Sequence, residues 1–325
     1  MKKSKLASML FGAAVMLGTV TAFAQVDQPF RGVGEAKSST INIYGQVHTG
    51  IANQSVGAAG DLTTMTNLSS RIGFSGSENL GGGLTAFYNI ETGFAADAPR
   101  GTVAATSIGD RASVVGLRNG MFELKAGRDK HVLVNMHEKY YSSFLFLDYY
   151  LGPNIHDVHG IRANNTVFLT ARPVKGMLVA YQHTLSEVAG KPDTIGTRVE
   201  YDANRVSVGV ATIDDGGINK STAYGATFRA NKQLQLSTVY SKDKILGLDS
   251  TGSSVNVGYW IQPQLLLLAS VGKKTGAVEI DSQNLGASYA LSKRTWLHAR
   301  WLKEDYKTLN AKDTTATVVS VQHLF

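Results

Sequence analysis

The chain of 325 residues contains no cysteine. An exported fold built from it must therefore stand on noncovalent contacts alone. Proline, which interrupts strand ladders, is scarce at 6 residues. Beyond the N-terminal segment no apolar run reaches the roughly 18 residues a membrane-spanning helix needs. There is no long Lys/Arg run and no basic stripe interleaved with aromatics, which excludes a nucleic-acid partner. Catalytic signatures are missing as well. No G-x-S-x-G occurs and no Ser/His/Asp grouping stands out. Gly32 to Ser39 holds Gly and Lys without the GK[ST] order of a phosphate loop. His156 to His159, HDVH, carries metal-ligand types but no companion cluster, and reads as a solvated loop. No metal and no cofactor are expected.

What the chain does have begins at its N-terminus. Lys2, Lys3 and Lys5 precede a mostly apolar stretch from Leu6 to Val20 and the small-x-small triplet Ala22-Phe23-Ala24. This is the pattern of a cleaved secretory signal over residues 1–24. Those three lysines contribute to the formal net charge of +7, so the remainder is only mildly basic. A polar lead, 25–39, follows, and residues 40–325 then form one unit.

That unit alternates. In Ile41 to Asn53, Ile41, Ile43, Val47 and Ile51 share one face; Asn42, Tyr44, Gln46 and His48 share the other. Leu84 to Phe94 sets Leu84, Ala86, Tyr88 and Ile90 against Thr85, Asn89 and Glu91. Period 2 marks strands with one buried face. The connections also alternate, short then long. Tight turns such as Arg118 to Gly120 and Asp202 to Asn204 carry the Gly, Asn and Asp of hairpins. Longer polar stretches lie between, including Asp243–Gly252, Lys273–Asp281 and, longest, Asp129–Ile161. The count comes to about sixteen antiparallel strands. Closing such a meander into a barrel removes both sheet edges and leaves a wet lumen. If the first strand pairs with the last, Phe325 lies within the wall.

Two features decide which face meets what. Tyr201, Tyr259 and Tyr289 lie on the apolar face beside short turns, and Tyr224 and Tyr240 lie on it near the long loops. Two aromatic bands on one apolar face are what a bilayer selects. The other face carries Arg198, Glu200, Arg205, Arg229, His298 and Arg300, more charge than a dry core tolerates. The expectation is an all-β, 16-stranded transmembrane β-barrel with lipid outside and water inside.

Ser70 to Phe94, SRIGFSGSENLGGGLTAFYNIETGF, resembles the signature hairpin of general porins from β-proteobacterial outer membranes. RASVVGL from Arg111, LKAGRD from Leu124, RANNTVFL from Arg162 and the terminal strand ending in Phe resemble that family's further strands. The resemblance implies passive diffusion of small polar solutes and ions through an outer-membrane channel, usually a homotrimer embedded in outer-membrane lipid. It implies a third loop folded inward to constrict the lumen, placed here at 129–161, and a terminal Phe325 read by the barrel assembly machinery. Arg71, Arg111, Arg128 and Arg162 match positions of the family's basic wall. Parity points Arg71 inward with Gly73 and Ser75, and Arg162 inward with Asn164 and Thr166. Arg128 has outward parity unless a bulge turns it, while Lys125 points in. Glu138, Asp148 and Asp157 are the acids on the constriction loop, so a transverse field between basic wall and acidic loop is expected. The chain departs from the family in its polar lead and in the apolar Phe144 to Leu151 run, which is expected to pack on the inner wall or on a neighbour near the three-fold axis, the alternative being an apolar slide for hydrophobic or aromatic solutes. Two rivals remain: a barrel hydrolase of phospholipase type, and an adhesin on a barrel scaffold.

Overall fold

The computed structural model describes residues 39–56, 60–97, 107–141, 156, 161–217, 219–307 and 313–325. The leader, nearly all of the polar lead, Asp148, Asp157 and the 144–151 run lie outside the described residues.

Seventeen strand segments form one antiparallel sheet closed on itself. In chain order they are β1 (Ser39–Val56), β2 (Asp61–Asn67), β3 (Arg71–Gly81), β4 (Leu84–Gly93), β5 (Ala112–Arg118) and β6 (Phe122–Lys130). A helix, α1 (Val132–Tyr140), precedes β7 (Arg162–Ala171), β8 (Met177–Thr184), β9 (Thr194–Ala203), β10 (Val206–Asp214) and β11 (Lys220–Arg229). The remainder are β12 (Leu234–Ile245), β13 (Leu248–Gln262), β14 (Leu265–Gly276), β15 (Ile280–Ala290), β16 (Thr295–Tyr306) and β17 (Thr314–Leu324). β2 and β3 both pair with the same long β1. They are one strand broken at 68–70 by a bulge in which Ser69 takes a φ of 66°. The barrel thus has the expected sixteen strands. Closure runs through β1 and β17, in register from Gln46↔Leu324 to Val56↔Thr314. Phe325 extends this ladder by exchanging both backbone hydrogen bonds with Gly45, at 3.1 and 3.2 Å.

The faces fall as the alternation requires. Ile41 and Ile43 on β1 are 74% and 62% exposed on the outer surface, while Gln46 and His48 are 4% and 1% exposed. Tyr201, Tyr224, Tyr240, Tyr259 and Tyr289 are all on the outside. Tyr224 and Tyr240 are cross-strand partners with stacked rings, 6.4 Å between centroids. Glu200, His298 and Arg300 are shut inside. This is the inverse of a soluble barrel.

The long-loop end of the sheet differs from the sequence reading. The polar stretch Asp243–Gly252 is a continuation of β12 and β13, which pair to Ile245↔Leu248. They are joined by Leu246 and Gly247 alone, with φ of 52° and 81°, the signature of a type I′ turn. The next connection is short too, since β14 runs to Gly276 and β15 resumes at Ile280. Above the bilayer both faces of a strand meet water, so hydropathy alternation fades while the ladder persists.

Candidate functional site

The lumen holds two unlike walls. On the first, β4 presents Glu91 inward, and two arginines converge on it. Arg111 Nε donates to Glu91 Oε1 at 2.7 Å, and Arg71 Nε lies 3.4 Å from Oε2. The interruption at Ser69 is part of the arrangement. Its backbone carbonyl accepts from Arg71 Nη1 and its hydroxyl from Arg111 Nη1, both at 3.4 Å. Arg162 donates from Nε to the backbone carbonyl of Arg111. Arg128 donates from Nε to the carbonyl of Asp110 at 2.6 Å, and Nη1 reaches Asn164 Oδ1. The Asp110–Arg111 turn is itself anchored on β4, where Asp110 Oδ1 accepts from the Gly93 N–H at 2.9 Å. Four guanidiniums therefore gather around two carboxylates, Glu91 and Asp110, and a set of backbone carbonyls. Arg side chains keep their charge at any relevant pH, so this wall stays cationic.

One bulge, on β7, shapes the grouping. Simple parity for Arg162 does not survive to Thr166, because Asn165 has a φ of 52° and the β6–β7 register slips between Gly127 and Asp129. The second irregularity is at Gly127, with φ of 129°, where a Cβ would lie 2.0 Å from the Ser113 carbonyl oxygen. The β5–β6 register nevertheless runs unbroken past Gly127, from Val114↔Gly127 to Ser113↔Arg128, so no bulge turns Arg128, and its side chain reaches the Asp110 turn from that position. Lys125 belongs to a separate pair, with Nζ 2.7 Å from Asp129 Oδ2 and 5.2 Å from the centroid of the Phe168 ring.

The second wall receives the start of the constriction loop, α1, whose presence the sequence pattern did not reveal. Leu133, Met136 and Tyr140 fall at helical spacing and are fully buried against Ala211, Ile213, Ala223 and Val239 on β10 to β12. This is an apolar patch on the inside of a polar lumen, and the helix accounts for it. Neighbouring strands present glycines beneath the helix. A Cβ on Gly225 would lie 2.4 Å from the Tyr140 ring, one on Gly209 2.9 Å from its hydroxyl, and one on Gly196 2.7 Å from Val132. The wall also caps the helix, which has no side-chain cap of its own. Gln182 Oε1 accepts from the Val132 N–H at 3.0 Å, and Ser237 Oγ donates to the Tyr140 carbonyl. Tyr140 Oη lies 3.1 Å from Ser207 Oγ, and burial raises the pKa of the phenol above its ordinary value.

Charges complete the seat. Lys139 Nζ is 2.9 Å from Glu200 Oε2, and Arg198 Nε is 2.7 Å from the other oxygen of that carboxylate. Both oxygens of Glu138 are taken by Lys130 Nζ, at 2.7 and 2.8 Å, and Lys130 is the cross-strand partner of Arg162. His156 is buried rather than solvated, contrary to expectation. Its Nδ1 lies 2.8 Å from Ser241 Oγ and its Nε2 3.1 Å from Ser254 Oγ. His137 and Tyr141 stand edge-on to it at 5.1 and 5.2 Å between ring centroids. Burial first, then His137 and Lys274, push the His156 pKa well below the ordinary imidazole value. Among the described residues no group of three or more His, Cys, Asp or Glu is arranged to hold a metal.

Of the residues chosen from sequence, Arg71, Arg111, Arg128 and Arg162 come together, while Lys125 and Glu138 are spent in local pairs. Glu91 and the Gly196/Gly209/Gly225 seat were missed. Glu91 was visible, since it shares inward parity with Asn89 in the signature hairpin. The seat had no local signal.

Residues 12–308 match the family of Gram-negative porins. Outer membrane porin protein 32 of Delftia acidovorans is 28% identical over 337 residues, covering 92% of this chain and 88% of its own. The anion-selective porin from Comamonas acidovorans superposes with a TM-score of 0.78 at 19% identity, over 89% of this chain and all of that one. OmpT, an outer membrane protein of Vibrio cholerae solved in a trimer form, superposes with a TM-score of 0.68 at 12% identity, over 89% and 100%.

Proposed function

Since this chain belongs to the Gram-negative porin family and forms a channel in the outer membrane rather than an enzyme, we propose that it is a general-diffusion pore favouring small anions. The observation that carries the preference is the grouping of Arg71, Arg111, Arg128 and Arg162 against Glu91 and Asp110 among the described residues. A solute crossing there meets fixed positive charge in a narrow, partly desolvated zone, where charge acts more strongly than in bulk water. The similar pore from Comamonas acidovorans is described as anion-selective, which supports the same reading. Arg71, with 30% of its side chain exposed against 15% for Arg111, is more open to passing ions than Arg111. The test is reversal potential across a planar bilayer under a KCl gradient. Arg71→Gln with Arg162→Gln is expected to move it toward cations, and an unchanged potential rejects the assignment.

A homotrimer fits the outer surface. Exposed tyrosines sit on β9 to β15, whereas β17, β1 and β2 present aliphatics instead: Val319, Ile41, Ile43, Ile51, Leu62 and Met65. Apart from Phe74 and Phe325, this face lacks the tyrosine bands of the other strands, which suits contact with copies of the same chain better than contact with a lipid–water boundary. Ile43→Asp is expected to convert a trimer in mild detergent to monomer by sedimentation. Phe325, ring against Gly45, is the residue we assign to recognition by the barrel assembly machinery.

A further inference from the structure

The inner wall of β15 and β16, away from the arginine group, contains an unusual charge. Arg300 is only 6% exposed. Its Nε donates to Asn284 Oδ1 at 3.0 Å, and Nη2 donates to the same oxygen. Among the described residues no carboxylate forms an ion pair with it. Glu304 exerts a field there, but one of its oxygens already accepts from the Tyr306 hydroxyl at 3.1 Å. A buried guanidinium without a counter-ion is costly, and structures rarely keep one.

Four buried polar atoms in this place have no hydrogen-bond partner: Arg300 Nη1, Asn284 Nδ2, Ser282 Oγ and Tyr141 Oη. They are neighbours. Ser282 and Asn284 are successive inward positions of β15, facing Glu304 and Leu302 across the ladder. Arg300 lies opposite Gly286, the next inward position. Tyr141, at the end of α1, is close enough to feel both Arg300 and Glu304. Burial holds its phenol protonated. All four atoms donate, and the two nitrogens can do nothing else. Clustered orphan donors call for an acceptor that none of the described residues supplies. A neutral water offers two lone pairs; an anion can accept from every side and also balance the guanidinium.

We propose that Arg300, Asn284, Ser282 and Tyr141 form a resident binding site for a small anion on the lumen wall beneath the end of α1. Bromide is the probe. Crystals of the full channel equilibrated in a series of sodium bromide concentrations are expected to show an anomalous peak within hydrogen-bond distance of Arg300 Nη1. Arg300→Gln is expected to weaken occupancy about tenfold or more, the loss of a charged hydrogen bond. Should that variant fail to insert, Asn284→Leu removes one donor while keeping the charge, and its occupancy is expected to fall as well. Water alone at the site in the unaltered channel overturns the proposal, as does bromide binding unchanged in the variants. Occupancy does not depend on conduction, so failure here leaves the channel function intact.

Discussion

The two walls of the lumen use opposite physics. The wall of β3 to β7 is polar, built by bulges, and gathers guanidiniums whose partners are largely backbone carbonyls. The wall of β9 to β12 is glycine-dented and apolar, and holds a helix by packing. In the proposed function one wall sets which charge passes and the other how much room is left. Charge and bore can therefore be altered separately, and each variant below acts on one wall alone.

The largest effect is expected from Tyr140→Ala. Tyr140 is fully buried between α1 and the wall, and truncating a buried aromatic costs roughly 3–5 kcal/mol. The helix should undock, with protease cleavage in the constriction segment and a changed single-channel conductance. Ion preference set by the arginine wall should survive; if it vanishes together with the conductance, the two walls are not independent. Gly225→Val attacks the same seat from below. Its side chain meets the Tyr140 ring at 2.4 Å from Cβ, and overpacking of this kind costs about 1–3 kcal/mol. Conductance should shift in this variant too, whereas Gly225→Ala with Tyr140→Ala, which removes the clash, should tolerate the added methyl.

Acid comes next. His156 faces Ser241 and Ser254, with His137, Tyr141, Lys274 and the Ser241-bound Asp243 around it. Its docked pKa is depressed, so the undocked segment binds more protons as pH falls below the ordinary value of about 6.5. Docking is at full strength above that pH and weakens below it. Protease sensitivity of the segment should rise on acidification, and His156→Gln should flatten that rise. The smallest effect belongs to Lys139→Gln. Lys139 is part-exposed and Glu200 keeps Arg198, so a loss of no more than about 1 kcal/mol is expected by denaturant titration.

Parts of this were legible in the chain. Ile41, Ile43 and Ile51 against Gln46 and His48 gave both faces of β1, because a strand repeats every two residues. Arg71 was placed correctly by the same rule. Arg162 strained it, since the bulge on β7 shifts parity, and Asn165 does not announce a bulge by type alone. Asp243–Gly252 reads as a loop in the sequence because its strands carry polar residues on both faces. α1 escaped notice because its caps, Gln182 and Ser237, come from β8 and β12.

By itself the sequence determined the barrel, its inside-out polarity and the supply of arginines, because alternation and hairpin chemistry are local and recur with every strand. Tertiary structure alone decided where the helix docks, which acids the arginines meet and that Arg300 is buried with no paired carboxylate among the described residues. Those depend on residues far apart in the chain being carried to one place by closure of the sheet, and no local pattern encodes that meeting.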